Sequence, residues 1–175
     1  MKRTLLAGLA VGCLAMVAAP QVSAQGVRWG VNAGILMPTG DYNTIDKPGW
    51  IVGGGATYWL TGGALGVRGD FSYGTTKHDP GPGDTKIVGG MASLVYGLGP
   101  STSSARPFVT GGLGMYNVDF GFAKETKLAF GVGAGVMIKA GTGGMRIVLA
   151  TRYTSVSLDP AVTFLPITVG LTFGK

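Results

Sequence analysis

The stretch KLAFGVGAGVMIKA, residues 127–140, decides the fold because it has glycine at every second position in its middle. One set of alternate residues is mostly bulky and apolar: Leu128, Phe130, Val132, Ala134, Val136 and Ile138. The other set consists mostly of glycine and therefore leaves its face almost bare of side chains: Ala129, Gly131, Gly133, Gly135 and Met137. Because successive side chains of a β-strand point to opposite faces, this period of two predicts a strand with one bulky apolar face and one bare face.

Closely spaced glycines also occur in dinucleotide-binding loops, and apolar runs also occur in membrane helices. A dinucleotide-binding loop needs a helix directly after its glycines, within a βαβ unit, but residues 145–156 show strand-like alternation again. A membrane helix needs about 20 apolar residues, and Lys127 and Lys139 bracket too short a run. Neither alternative fits, so we interpret the stretch as a strand.

The same alternation recurs along the rest of the chain. Seven further segments show it: residues 27–37, 50–60, 65–74, 86–98, 107–118, 145–155 and 164–173. Each of these segments is about long enough to cross a bilayer as a tilted strand. The sequence therefore predicts eight strands.

The predicted connections tend to alternate in length. Residues 61–64 and 140–144 form short connections and 99–106 an intermediate one, whereas 38–49, 75–85, 119–126 and 157–163 tend to be longer. Short turns at one end and longer loops at the other are typical of outer-membrane barrels. We therefore predict an all-β fold, an eight-stranded antiparallel up-and-down transmembrane β-barrel, with both termini at the short-turn end.

Periodicity alone does not decide which face of such a barrel points outward. A soluble barrel of the lipocalin type would bury the bulky face, but the bare face here has too little volume for an ordinary soluble core. In addition, 12 of the 16 aromatic residues fall near predicted strand ends. They are Trp29, Tyr58, Trp59, Tyr96, Phe108 and Phe173 near the turns, and Trp50, Tyr73, Tyr116, Phe130, Tyr153 and Phe164 near the loops. Two aromatic rings are typical of membrane interfaces, so we predict that the bulky face points outward into lipid.

Residues 1–24 are predicted to be a bacterial signal peptide. Lys2 and Arg3 precede an apolar run, and small residues at Val22 and Ala24 indicate cleavage after Ala24. The alternative of a lipoprotein cleaved before Cys13 fits less well, because the apolar run continues past that residue. The predicted mature domain, residues 25–175, has no cysteine and therefore no disulfide.

The charge of the predicted mature domain argues against a nucleic-acid partner. Without Lys2 and Arg3, twelve basic and eight acidic residues remain, a net charge of +4. The basic residues are scattered along the chain, whereas a nucleic-acid surface needs a basic patch. We therefore expect no nucleic-acid partner.

Three segments resemble the small outer-membrane β-barrel proteins of the OmpA/OmpX-like group. They are RPFVTGGLGMYNV at 106–118, AFGVGAGVMI at 129–138 and LPITVGLTF at 165–173, and the resemblance covers essentially residues 27–174. It implies a location in the cell outer membrane, contact with outer-membrane lipid and lipopolysaccharide, and insertion by the outer-membrane assembly machinery. That machinery recognises an alternating last strand that ends in an aromatic residue, here Phe173. We expect the protein to be a monomer.

A barrel of eight strands has an interior that side chains just fill, so we predict no wide pore. The charged residues predicted to point inward are Arg28, Arg68, Asp70, Arg146 and Arg152. A charge buried alone is unfavourable, so these residues are expected to pair with one another or with trapped water. We predict that they form an interior polar plug.

Candidate catalytic and metal-binding residues are few. The only histidine, His78, falls in a predicted loop beside Asp79, and a hydrolase would need a serine such as Ser72 to converge with it and a carboxylate. The loop carboxylates do not have the spacing of a calcium-binding EF-hand: Asp41, Asp46, Asp79 and Asp84. We predict no catalytic residues, no cofactor and no metal centre.

Three functions remain open from the sequence. The favoured one is a structural or surface-interaction barrel of the outer membrane, without a wide pore and without enzymatic activity. The alternatives are a narrow channel and a soluble, lipocalin-like ligand-binding barrel.

Overall fold

The computed structural model describes residues 26–60, 62–141 and 144–174, so the predicted signal peptide, residues 1–24, lies outside the described residues. Eight strands form the fold: β1 Val27–Thr39, β2 Asp46–Trp59, β3 Leu65–His78, β4 Asp84–Gly97, β5 Ala105–Asp119, β6 Lys124–Lys139, β7 Arg146–Val156 and β8 Val162–Phe173. A short 3₁₀ helix, Gly40–Thr44, follows β1. Among the described residues, no helix is long and apolar enough to cross a membrane.

The strands form a closed barrel in which neighbours along the chain are neighbours in the sheet. Every pair is antiparallel, and β8 closes the barrel by pairing with β1, where Trp29 lies opposite Phe173. The predicted eight-stranded up-and-down barrel is therefore confirmed. Val27 and Phe173 lie at the same end as residues 60, 62–64, 98–104, 140–141 and 144–145, which we call the turn end. The opposite end, which we call the loop end, carries residues 40–45, 79–83, 120–123 and 157–161.

The connections at the loop end are shorter than the sequence predicted. β5 and β6 stay paired out to Asp119 and Lys124, and β3 and β4 out to Lys77 and Asp84. The polar side chains of these segments indicated loops, but backbone pairing does not require apolar side chains. Asn117 illustrates this, because its side-chain amide donates to the Thr126 hydroxyl of the opposite strand at 2.8 Å. The predicted difference in length between the two ends is therefore wrong.

The bulky apolar face points outward, as predicted. Val132, Leu149 and Val169 are 57%, 46% and 53% exposed, although they lie in the middle of their strands. A water-soluble barrel would not expose a continuous apolar belt of this kind. The soluble, lipocalin-like alternative is therefore wrong.

The aromatic residues follow the predicted rings only in part. Seven are well exposed near strand ends: Trp29, Tyr58, Tyr96 and Phe173 at the turn end, and Trp50, Phe130 and Tyr153 at the loop end. By contrast, Phe108, Tyr116 and Phe164 point inward and are buried, and Trp59 packs inward against Arg106. These four follow or precede an outward residue by one position, so the strand period turns them to the interior. The prediction used only the position of each aromatic residue near a strand end and ignored the face of the strand on which its side chain lies.

The interior contains more bulky apolar side chains than the sequence predicted. The loop-end cluster comprises Leu36, Tyr42, Ile51, Ile87, Met91, Tyr116, Val118, Ala129, Val156, Val162 and Phe164. A smaller turn-end cluster comprises Val95, Phe108, Met137 and Val148. Arg68, Asp70 and Arg152 lie between the two clusters, where Arg68 contacts Phe108 and Arg152 contacts Met91. The interior is therefore layered, with a polar section between two apolar sections.

Candidate functional site: the polar interior

The centre of the interior is crossed by one ion pair. Arg152 on β7 donates from Nη1 to Asp70 Oδ1 at 2.8 Å and from Nη2 to Asp70 Oδ2 at 3.0 Å. β3 and β7 are four strands apart in a barrel of eight, so this pair spans the lumen. Both side chains are mostly buried, at 16% and 15% exposure. Two parallel charge-assisted hydrogen bonds to one carboxylate are among the strong polar contacts in proteins.

Arg68 lies on the same strand face as Asp70 but has different partners. Its Nε donates to the Thr57 hydroxyl at 2.8 Å, and its guanidinium lies 5.4 Å from the centre of the Phe108 ring. A cation over an aromatic face is attracted by the negative face of the ring. Arg68 is therefore held beside the ion pair without a carboxylate partner in the described part of the chain.

Three other arginines lie at the turn end, and each donates to a carbonyl of a different turn. Arg28 Nη1 donates to Gly144 O, Arg106 Nη2 to Gly63 O, and Arg146 Nη2 to Ser101 O, each at 2.7 Å. We call Arg28, Arg106 and Arg146 the arginine ring. The Arg146 guanidinium lies close enough to those of Arg28 and Arg106 to repel both.

Arg106 was missed in the sequence although it is only 4% exposed. The predicted strand began at Pro107, whereas β5 begins one residue before Arg106. With that correction Arg106 shares the inward face with Phe108. Its guanidinium lies 4.9 Å from the centre of the Trp59 ring. Gly97 leaves the necessary space, because a Cβ there would come within 2.4 Å of the Arg106 Cζ.

A cavity of about 120 Å³ lies in the polar section. The residues that carry its chemistry are Arg28, Arg68, Asp70, Arg152 and the hydroxyls of Thr57, Thr110, Thr168 and Thr172. On the loop side it is bounded by Tyr116 and Phe164, whose rings meet edge to face at 5.8 Å. Four of the five predicted inward charges thus share one cavity, whereas Arg146 lies beyond it in the arginine ring.

A second polar cluster lies inside the loop end. Asp46 was predicted to be in an exterior loop, but it is the first residue of β2 and is 2% exposed. The Tyr42 hydroxyl donates to Asp46 Oδ2 at 3.0 Å, and the Thr76 hydroxyl donates to the same oxygen. Burial, together with the nearby Asp46 carboxylate, raises the pKa of the Tyr42 phenol. Tyr42 therefore remains a protonated donor to the buried carboxylate at neutral pH.

His78 also differs from its prediction as a solvated loop residue. It is the last residue of β3, and its Nε2 lies 3.7 Å from Asp46 Oδ1 and 3.0 Å from the Thr85 hydroxyl. A catalytic relay needs the base between carboxylate and nucleophile, with one ring nitrogen for each. Here the same nitrogen faces both groups, so this arrangement is not a relay.

The other candidate catalytic and metal-binding residues do not gather around His78. Ser72 lines the central cavity, where its hydroxyl lies 3.5 Å from that of Tyr116. Asp79 pairs with Lys47 on the surface at 2.7 Å. Within residues 26–60, 62–141 and 144–174, no group of three or more His, Cys, Asp or Glu side chains is placed to hold a metal ion.

Comparison with known proteins gives a family and several solved barrels. The model of the outer membrane protein β-barrel domain family matches residues 5–173. A search of curated protein sequences gives no match. The N-terminal β-barrel domain of Pseudomonas aeruginosa OprF is 18% identical and has a TM-score of 0.51, with 83% of this chain and 97% of that chain covered.

Two further structures are similar at the same level. Ail of Yersinia pestis, solved with the heparin analogue sucrose octasulfate, is 18% identical with a TM-score of 0.52, covering 85% of this chain and 99% of that chain. The outer membrane enzyme PagL is 15% identical with a TM-score of 0.51, covering 85% and 99%. At such low identity these likenesses show a shared fold.

Proposed function

The chain belongs to the outer membrane protein β-barrel domain family, and from that premise we propose that it is a closed, non-enzymatic barrel that acts through the surface at its loop end. Its location is the outer membrane, where the apolar belt meets lipid. The observation that carries the proposal is the loop-end cluster. Leu36, Val118 and Phe164 are almost completely buried inside the lumen, so apolar side chains fill the path that a pore would need.

The loop-end surface supports a modest interaction role. Its connections have only four to six residues, so it offers a small contact area. Phe122 is 88% exposed at the tip of the β5–β6 hairpin and stacks against Phe120 with ring centres 6.0 Å apart. Charged residues flank this tip, including the exposed Lys124 and the half-buried Asp119, which pair at 3.6 Å. An aromatic tip between charges suits a protein or lipopolysaccharide contact.

The absence of enzymatic activity is part of the proposal. PagL shows that the fold can carry an enzyme, so fold alone does not decide the point. In this chain His78 directs one nitrogen to both of its polar neighbours, and Ser72 lies inside the lumen. Neither residue is positioned as a base or a nucleophile towards a substrate outside the barrel.

A narrow channel is the second candidate, and the central cavity favours it. The cavity already provides a polar section with room for several water molecules. Conduction would require the loop-end cluster to open as well. We also propose that the barrel is inserted by the outer-membrane assembly machinery, contacts lipopolysaccharide and functions as a monomer.

The localisation and the closed state are tested together. The expressed protein is expected in the outer-membrane fraction, and its mobility on SDS gels is expected to change on heating because a folded barrel resists the detergent. In planar bilayers, the purified protein is expected to give no large, stable conductance. A large conductance in the native protein would contradict the closed barrel and favour the channel.

An outward arginine tests the membrane-facing belt. Val132→Arg is expected to lower the free energy of unfolding in lipid vesicles by about 2–4 kcal/mol, because the charge then lies near the bilayer midplane. Thr126→Arg is the matched control on the same face of β6, beyond Phe130, and is expected to cost about 0–1 kcal/mol. Equal stability of the two variants would show that Val132 does not face lipid.

A further inference from the structure

The interior carries more positive than negative charge. Five arginines point inward: Arg28, Arg68, Arg106, Arg146 and Arg152. In the described part of the chain, Asp70 is the only acidic residue close to these arginines, and it forms an ion pair with Arg152. Asp46 is at the other end and is held by Tyr42 and Thr76. Among the described residues, none of the other four guanidinium groups forms an ion pair with a carboxylate, although Asp70 also attracts Arg68. A buried charge without full compensation is unfavourable.

Two of these four arginines, Arg28 and Arg68, line the cavity from strands that are two apart in the barrel. Arg28 lies opposite Thr57 on β2, and Thr57 lies opposite Arg68 on β3, so the three form one row across neighbouring strands. The Thr57 hydroxyl occupies only the Nε of Arg68. Since a guanidinium has five N–H donors, both arginines can present further donors to the cavity that they line.

Neutral polar groups complete the lining. The hydroxyl of Thr172 is buried at the cavity and has no hydrogen-bond partner among the described residues. A buried hydroxyl without a protein partner is unusual in a folded protein and favours a bound ligand or water at that position. Water alone would satisfy this hydroxyl, but it would give neither Arg28 nor Arg68 an anion of its own, since Asp70 is already paired with Arg152.

The chemistry of the lining favours a small oxyanion. Guanidinium groups bind phosphate-type oxygens through paired hydrogen bonds, and threonine hydroxyls can donate to the remaining oxygens. A volume of about 120 Å³ admits such an ion but not a polymer. Tyr116 and Phe164 close the loop side, so the approach is from the turn end, where Arg28 belongs both to the arginine ring and to the lining of the cavity.

We propose that the central cavity is an oxyanion-binding site, in which Arg28 and Arg68 hold a small ion of the inorganic phosphate class. The arginine ring attracts the ion towards the turn end of the barrel. The loop-end cluster prevents its passage, so the site is a binding pocket rather than a conduit.

The test uses the full folded barrel in a neutral detergent, with inorganic phosphate as the probe. Titration calorimetry is expected to show saturable binding with one phosphate per chain. The thermal midpoint is expected to rise with phosphate and to remain lower in chloride at equal ionic strength. Arg28→Gln and Arg68→Gln are each expected to weaken phosphate binding about tenfold or more, because each removes charged hydrogen bonds.

Lys127→Gln is the control, because this lysine lies outside the barrel beside Glu125. It is expected to bind phosphate like the native protein. If Arg68→Gln does not fold, Arg28→Gln and Arg68→Lys carry the test. Micelles that contain phosphatidylglycerol are expected not to compete, because a lipid headgroup cannot enter the lumen. Unchanged binding in the arginine variants, loss in Lys127→Gln, competition by the lipid, or equal effects of chloride would each overturn the proposal.

Discussion

Asp70→Asn is expected to lower the free energy of unfolding by about 3–5 kcal/mol, the usual cost of removing one partner of a buried ion pair. The substitution removes the only described carboxylate that faces Arg152, whose two nitrogens donate to it across the lumen. Arg68 is close by and increases the uncompensated positive charge. The loss is measured by urea unfolding of the barrel in detergent, with fluorescence and gel mobility as readouts.

Asp79→Asn is the matched control, because Asp79 also pairs with a basic residue but does so on the surface. Its partner Lys47 lies 2.7 Å away, and both side chains are about half exposed or more. An exposed pair of this kind contributes about 0–1 kcal/mol. Equal midpoints for Asp70→Asn and Asp79→Asn would show that Asp70 is hydrated and that the interior ion pair does not stabilise the barrel.

A double variant separates the cost of the unpaired charge from the value of the pair. Asp70→Asn combined with Arg152→Gln is expected to recover part of the stability lost by Asp70→Asn alone, since both charges are then absent. Additive losses from the two substitutions would contradict coupling between Asp70 and Arg152.

Phe164→Ala is expected to cost about 3–5 kcal/mol as well, because it deletes a large, fully buried ring and leaves a cavity. Phe164 is 1% exposed and forms the boundary between the loop-end cluster and the central cavity. Its removal connects the cavity with the space around Tyr116 and Leu36. Besides losing stability, this variant is expected to show small conductance events in planar bilayers that the native protein lacks.

Phe122→Ala provides the comparison for this second substitution. It removes the same side chain from an exposed hairpin tip, where substitutions usually change stability by no more than about 0.5 kcal/mol. It is also expected to leave the conductance unchanged. If Phe164→Ala folds with native stability and stays closed, the loop-end cluster is not the barrier to conduction.

Most of the fold could be predicted from the sequence because it depends on local periodicity. The alternation in residues 127–140 decides which side chains share a face of β6, whatever the rest of the barrel does. The same pattern in the other segments indicated eight strands and an apolar outer face. It did not indicate where polar strands end, so His78 and Asp46 were placed in loops although both belong to strands.

The candidate site was predicted less completely. The inward position of Arg68, Asp70 and Arg152 follows from strand period. Arg106 was missed because the predicted strand began one residue too late. Asp46 was missed because it lies between the alternating segments 27–37 and 50–60 and was therefore assigned to a loop. Phe108 and Phe164 were assigned to the outer rings from their position near strand ends, although the strand period turns them inward.

By itself, the sequence determined the strands, the lipid-facing side and the membrane in which this barrel lies, because these properties are set by side chains close together in the chain. Only the tertiary structure decided which interior residues meet. Arg152 and Asp70 are 82 positions apart and come together because β7 and β3 face each other once the barrel is closed. The contact between Arg106 and Gly63 depends in the same way on the register between strands. Such contacts result from closure of the whole sheet, which no local pattern specifies.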